Sequence, residues 1–327
     1  EDLVLVDVAA CGVNYADVCV RWGLYESANK LARWPITPGF EFSGRVAAVG
    51  AAVTDLAVGD NVFGVTMFGG YSTRVTVPRN QLWGVPPPLS LPQAAGMLAT
   101  YMTAWYAMFE LAGFTAGPPA SPPPSVLVHS AAGGVGSMLV QLGKVAGAHV
   151  VGVVGRASKV EYAKSVGCDV VIDKSSQRLW EVASEAAPGG YQAVFDANGV
   201  ATLGESFKAL APTGRLIVYG FHSMLPRKGG RISPCRWLRI AWDYVMTPRF
   251  NPLDMTATNR SVMAFNLSFL FNKTAILEAA MSDFEAWVGD GRVAAPRVTT
   301  YPLEDVAEAH AAIESGTTVG KLVLTTG

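Results

Sequence analysis

The chain has 327 residues, of which 50% are hydrophobic and only 16% charged, so it holds ample material for a core and too little charge for intrinsic disorder. At roughly 100–200 residues per domain, this length predicts two domains. A formal net charge of −1 excludes a dominant electrostatic partner such as nucleic acid.

Four cysteines, Cys11, Cys19, Cys168 and Cys235, form no C-x-x-C pair and are too few for a disulfide scaffold. A reducing, cytoplasmic setting is therefore expected. The chain opens on a strand pattern, Leu3–Val8, with no signal-peptide pattern, and a further strand is expected upstream. The low charge raises a membrane reading. The longest uncharged stretch lies between Arg79 and Glu110, and Pro86, Pro87, Pro88 and Pro92 break its first part. The remainder, Ala94–Phe109, is shorter than the about 20 apolar residues a span requires, which predicts a buried helix and no integral span.

The first 90 residues read as β: short Val-rich runs at Arg45–Val49, Asn61–Val65 and Tyr71–Val77 alternate with Gly and Pro turns. A helix is predicted over Pro92–Leu111, and the Pro-rich run Gly117–Pro124 is a stiff connector. From Ser125 the pattern changes. Strand-like runs at Val126–His129, Val150–Val154, Val170–Asp173, Ala193–Asp196 and Arg215–Tyr219 are separated by helix-like segments. Apolar runs without alternation mark strands buried on both faces, and strand–helix alternation predicts a doubly wound parallel sheet. The segment Leu225–Asp254 is basic and Trp-bearing (Arg227, Lys228, Arg231, Arg236, Trp237, Arg239, Trp242) and reads as an insertion. A strand over Val262–Phe269, a helix over Thr274–Gly289 and a short βαβ-like tail complete the chain.

The sharpest signal is Val126–Gly136, a strand running into a glycine-rich turn and then a helix on which Met138, Leu142 and Val145 share a face. It meets the dinucleotide pattern with Ala131 in the first glycine position, then Gly133 and Gly136. Gly133 admits a pyrophosphate to the backbone, Gly136 lets helix and strand pack closely, and the helix N-terminus offers N–H groups to an anion. Ala132, Gly133, Gly134, Val135 and Gly136 are the predicted cradle. An NAD site places an acid about 20 residues beyond the motif. No Asp or Glu occurs from Ser137 to Val160, and Arg156, Ser158 and Lys159 stand there instead. Cations and a hydroxyl suit a 2′-phosphate, which predicts NADP(H). Asn198 and Gly220, at the carboxyl ends of two further strands, are predicted cofactor contacts.

The run Ala131–Lys144, with Gly133-Gly134-Val135-Gly136, Gln141 and Lys144, resembles the quinone oxidoreductase signature of the medium-chain dehydrogenase/reductase superfamily. Cys11–Asp17, Gly23-Leu24-Tyr25, Pro38–Val46, Val58-Gly59-Asp60 and Val319–Leu324 resemble its catalytic domain. Asn259–Leu267 and Val128–Ala132 are similar to the zinc-free branch that includes the vesicle amine transport protein homologues. The Pro-rich turn and the basic segment depart from that pattern. The resemblance covers nearly the whole chain. It implies an α/β fold: a GroES-like, β-rich catalytic domain over 1–98 and 266–327, and a Rossmann domain with a doubly wound parallel sheet over 99–265. By analogy it implies a homodimer. It also implies cofactor contacts at Thr103, Phe265 and Lys321.

Zinc-dependent relatives place ligands where this chain has Asn14, Phe40 and Leu98, none of them a usual zinc ligand. The four-Cys structural lobe is absent, and His129, His149, His222 and His310 show no ligand spacing. No metal is therefore expected. Without zinc to acidify an alcohol, reduction of an electron-poor acceptor is the easier chemistry. The expected activity is NADPH-dependent reduction of a small-molecule quinone or α,β-unsaturated carbonyl. By the same resemblance Asn14 and Tyr25 are the candidate catalytic residues: Asn14 to orient the substrate oxygen or the nicotinamide ribose, Tyr25 to donate a hydrogen bond or a proton, with water as the alternative donor. Cys19 stands where relatives often carry a second Tyr. Glu41, Asp17 and Asp60 read as buried structural carboxylates. Two other readings stay open: an enoyl-thioester reductase whose basic segment meets a carrier, and an NADPH-binding, lipid-associated scaffold using Trp237 and Trp242.

Overall fold

The computed structural model describes all residues but 33, 119, 225–233 and 271–272, and the side chains of the described residues apart from 31, 224 and 234–236. Arg227, Lys228 and Arg231 of the basic segment, with the side chains of Cys235 and Arg236, therefore lie outside the described residues. The chain divides into two units: unit 1 comprises Glu1–Met102 and Leu267–Gly327, and unit 2 comprises Thr103–Asn266.

The described strands are β1 (Leu3–Val13), β2 (Glu41–Val49), β3 (Asn61–Val65), β4 (Arg74–Pro78), β5 (Leu82–Gly84), β6 (Ser125–His129), β7 (His149–Val154), β8 (Val170–Asp173), β9 (Tyr191–Asp196), β10 (Leu210–Val218), β11 (Ser261–Ala264), β12 (Val298–Pro302) and β13 (Lys321–Thr325). In unit 1 the order is β12-β13-β1-β2-β3-β5, with β4 also pairing β1. Side chains alternate across a strand, so Val4, Val6 and Val8 of β1 face inward with Val75 and Val77 of β4. They join Phe42, Val62, Leu82, Leu322 and Leu324 in one core. This is the GroES-like unit.

Unit 2 carries a parallel sheet in the order β11-β10-β9-β6-β7-β8. Numbered within the unit, that is 3-2-1-4-5-6, the doubly wound Rossmann order, which reverses direction between β6 and β9. The apolar runs that lack alternation are these strands. Leu127, Val151, Val153, Ile172, Val194 and Leu216 share a core against flanking helices.

Several elements differ from the sequence reading. Two helices, Tyr15–Arg21 and Glu26–Leu31, interrupt the region read as β. Each is under two turns and too short for a legible period. The helix expected over Pro92–Leu111 is three pieces: Leu91–Ala95, Leu98–Trp105 and a π-helical turn, Tyr106–Leu111. The strand expected over Val262–Phe269 ends at Ala264, because its partner β10 ends at Val218, and Leu267–Leu270 is a 3₁₀ turn. Asp60, read as buried, is exposed and caps a turn by accepting from Ala57 N at 2.8 Å. The segment 234–258 holds the helices Pro234–Val245 and Pro252–Thr258. Among the described residues no helix is long and apolar enough to cross a membrane.

Unit 1 closes on an aromatic stack. Phe284 of the helix Thr274–Gly289 is fully buried, with its ring 4.8 Å from Tyr101 and 5.5 Å from Phe63. Deleting a buried phenyl group removes its transfer energy and leaves a cavity, so Phe284→Ala is expected to cost about 3–5 kcal/mol of stability. Urea unfolding followed by tryptophan fluorescence measures it.

Candidate functional site

In unit 1 three polar side chains meet at the starts of three elements. Asn14 stands between β1 and the helix Tyr15–Arg21, Glu41 opens β2 and Lys321 opens β13. Lys321 Nζ lies 2.8 Å from Glu41 Oε1 and 2.5 Å from Asn14 Oδ1. Asn14 Nδ2 donates to the same Glu41 Oε1 at 2.9 Å, closing a triangle. Glu41 Oε2 accepts from Ala99 N at 2.8 Å. The Glu41 and Lys321 side chains are 0% and 4% exposed, while Asn14 is half-buried. The ammonium of Lys321, one of the expected cofactor contacts, sits on Glu41 and Asn14. Glu41, expected as a structural carboxylate, is a direct partner of Asn14.

Tyr25, in the same unit, precedes the helix Glu26–Leu31. Its hydroxyl is 3.1 Å from that of buried Ser268, a partner that sequence reasoning missed because 243 residues separate the two. Its ring packs edge-on against Phe40 at 5.5 Å, and Phe40 packs on Phe68 at 5.4 Å. Phe40 and Leu98 are buried carbon side chains, so the positions that carry zinc ligands in zinc-dependent relatives do not fit a catalytic zinc. Among the described residues no three His, Cys, Asp or Glu are grouped to hold a metal ion.

Asp17 anchors the loop beneath. Its carboxylate accepts from Asn14 N and Gly39 N, each at 2.8 Å, and from the Tyr71 hydroxyl. Burial outweighs these bonds and raises its pKa to about 7. Tyr71 continues to His310 Nε2 at 3.2 Å. Arg21 donates to His310 Nδ1 at 3.3 Å, which makes Nε2 the protonated nitrogen of a neutral ring. Burial, with Arg21 nearby, lowers the His310 pKa to about 4.

Unit 2 holds the glycine turn. Gly133 caps the helix Gly134–Val145, whose first N–H groups have no partner within the helix. Gly136 has a specific steric duty: a Cβ there would lie 2.2 Å from Ser130 O. Ala132 is buried, and Gly133, Gly134 and Val135 are half-buried on the turn. Arg156 and Ser158 are exposed just past the end of β7, with Lys159 half-buried beside them. Burial, reinforced by the Arg156 charge, lowers the Lys159 pKa. Lys174, missed in the sequence reading, follows β8 and donates its backbone N–H to Val154 O at 3.0 Å. It therefore brings a third cation to neighbouring strand ends.

At the ends of β9 and β10 the backbone is pinned by Asp196. Its buried carboxylate accepts from Asn198 N at 2.7 Å, Thr202 Oγ1 at 2.7 Å and Ser206 Oγ at 2.8 Å. Ser206 donates to Asp196 and so accepts from His129 Nε2, 3.0 Å away, which ties β6 to β9 where the sheet order reverses. Burial lowers the His129 pKa and keeps the ring neutral. Asn198 Nδ2 and Ser223 Oγ are buried without a hydrogen-bond partner among the described residues. Gly220 follows β10, and a Cβ there would lie 3.2 Å from Ala197. Phe265 sits in an aromatic cluster, 5.0 Å from Tyr106 and 6.4 Å from Tyr219. Thr103 opens the unit. On the helix Pro234–Val245, Trp237, Leu238 and Trp242 are exposed.

Two family models cover most of the chain: the alcohol dehydrogenase GroES-like domain over residues 1–111 and the zinc-binding dehydrogenase domain over residues 134–268. The 2-haloacrylate reductase of a Burkholderia species is 31% identical over 96% of this chain and 88% of its own length. The chain belongs to the medium-chain dehydrogenase/reductase superfamily. It falls in the zinc-independent quinone oxidoreductase and VAT-1-like branch of that family. The synaptic vesicle membrane protein VAT-1 homolog of Danio rerio is 33% identical over 99% of this chain. The chain spans 64% of that relative's length. The quinone oxidoreductase of Escherichia coli, solved in complex with NADPH, superposes with a TM-score of 0.82 at 25% identity, over 99% of this chain and 92% of its own.

Removing the Asp196 carboxylate leaves Thr202, Ser206 and the amides of Asn198 and Gly199 without their acceptor. Asp196→Ala is expected to cost unit 2 about 3 kcal/mol, with faster hydrogen exchange at the amides of Asn198 and Gly199. Exchange measured by mass spectrometry checks both.

Proposed function

We propose that this protein is a zinc-independent, NADPH-dependent reductase of quinones or α,β-unsaturated carbonyls. The observation that carries the cofactor half is the glycine turn of unit 2 with Arg156, Lys159 and Lys174 gathered at neighbouring strand ends and no acid in their place. NADPH, when bound, supplies the hydride. Backbone N–H groups at Gly134, Val135 and Gly136 receive its pyrophosphate. Arg156, Ser158, Lys159 and Lys174 receive the 2′-phosphate. The unpartnered Asn198 Nδ2 and Ser223 Oγ, with Gly220, Thr103 and Phe265, are the proposed contacts for the remaining polar and planar parts, because buried polar groups seek partners.

In unit 1, Asn14 donates to the acceptor's oxygen as negative charge grows there, and Tyr25, backed by Ser268, donates a second hydrogen bond or the proton. The neighbouring Phe40 and Phe68 rings suit a planar, apolar acceptor body. NADPH-complexed and haloacrylate-reducing relatives support the same chemistry. By the same family analogy β11, at the edge of its sheet, is the proposed contact strand of a homodimer.

A panel of NADPH and NADH with 1,4-naphthoquinone, an enone and an enoyl thioester tests the proposal. Turnover with the quinone or enone, preferring NADPH, is the expected result. Turnover confined to the thioester moves the substrate to a carrier-bound chain. The exposed face of Trp237, Leu238 and Trp242 favours one further reading, a lipid-associated scaffold. Tight NADPH binding with no turnover, together with liposome binding, supports that instead.

The double variant Arg156→Ala/Lys159→Ala is expected to raise the KM for NADPH about tenfold or more and to leave that for NADH unchanged. The lowered Lys159 pKa sets the sign of the pH dependence. Lys159 loses its charge as pH rises, so the preference for NADPH over NADH falls toward alkaline pH. Steady-state kinetics with both cofactors across a pH series measures it.

A further inference from the structure

We infer that Lys321 and Glu41 are positioning residues that fix the Asn14 carboxamide as a hydrogen-bond donor, so that the site takes an acceptor presenting a carbonyl or enolate oxygen. The inference rests on the proposed role of Asn14 and goes beyond it in naming what sets that role.

An Asn side chain has two donors and an acceptor, and only its partners decide which way it faces. Here both partners are charged. Lys321 Nζ, 2.5 Å from Oδ1, can only donate; Glu41 Oε1, 2.9 Å from Nδ2, accepts. Flipping the amide would set NH₂ against an ammonium and C=O against a carboxylate. Oδ1 is therefore committed to Lys321 and one Nδ2–H to Glu41. The second Nδ2–H is left for a ligand, and an incoming hydroxyl donor meets the field of the ammonium.

The ion pair is held from several sides. Ala99 N fixes the other Glu41 oxygen at 2.8 Å. Gly12 clears the space: a Cβ there would lie 2.3 Å from Glu41 Oε1 and 2.4 Å from Ala95 O. Stability does not account for such a pair. A buried Lys–Glu pair loses hydration, and apolar replacements of similar volume are often as stable. Its arrangement around one half-buried amide does account for it.

The test compares Lys321→Arg, Lys321→Met and the double variant Glu41→Gln/Lys321→Met with the parent protein. The double variant removes both charges together, which keeps the fold where a single deletion strands one buried charge. Folding is read from thermal melts, and Kd for NADPH by titration. With 1,4-naphthoquinone as acceptor, the double variant is expected to lose about tenfold or more in kcat, with Kd for NADPH unchanged and Lys321→Arg recovering most of the loss. A folded double variant with kcat within about twofold of the parent overturns the inference. A raised Kd for NADPH also overturns it, by making Lys321 a cofactor contact. If the parent protein reduces no quinone or enone, the functional proposal fails and the inference is read from the ¹⁵N-labelled Asn14 side chain. Two widely separated Nδ2 proton shifts that collapse in the double variant uphold the lock; identical spectra overturn it.

Discussion

Glu41 and Lys321 form a buried ion pair that holds the Asn14 carboxamide of unit 1. Burying both charges is unfavourable unless further hydrogen bonds complete them. Asn14 and the Ala99 amide supply those bonds, so Glu41 at the start of β2 joins the start of β13, the first turn of the helix Leu98–Trp105 and the residue just past β1. The sheet thereby fixes a single carboxamide. Unit 2 uses a similar device: Asp196, also fully buried, gathers a backbone amide and two hydroxyls and holds the loop carrying Asn198. In both units a buried carboxylate organises backbone that presents polar groups.

This arrangement gives the departure from zinc chemistry a physical basis. Phe40 joins an aromatic stack with Tyr25 and Phe68 where zinc-dependent relatives place a ligand. A metal polarises an oxygen through charge, whereas an amide and a phenol do so by donating hydrogen bonds. Donors of that strength suit an acceptor already poor in electrons.

Much of this was legible in the sequence because local patterns encode it. The strand–glycine–helix run of Val126–Gly136 carries its own structural context, and the absence of acids between Ser137 and Val160 is a statement about one turn. Five of the six parallel strands announced themselves as apolar runs. What the sequence concealed involves distance along the chain. Lys321 meets Asn14 across 307 residues and Tyr25 meets Ser268 across 243, so no spacing rule joins them. Lys174 and Ser223 look like ordinary loop residues until the sheet order sets their strand ends beside β7 and β9. The short helices after β1 escaped because under two turns leave no period, and the strand after Arg260 was overextended because its length is set by its partner β10.

The most direct measurement is the fate of label from NADPH deuterated at the transferred position of the nicotinamide ring. With an α,β-unsaturated ketone as acceptor, one deuterium is expected at the β-carbon of the saturated product, seen by mass spectrometry and NMR, with markedly less delivered from deuterated NADH at matched low concentration. Consumption of NADPH with unlabelled product, or equal transfer from both cofactors, would contradict the account.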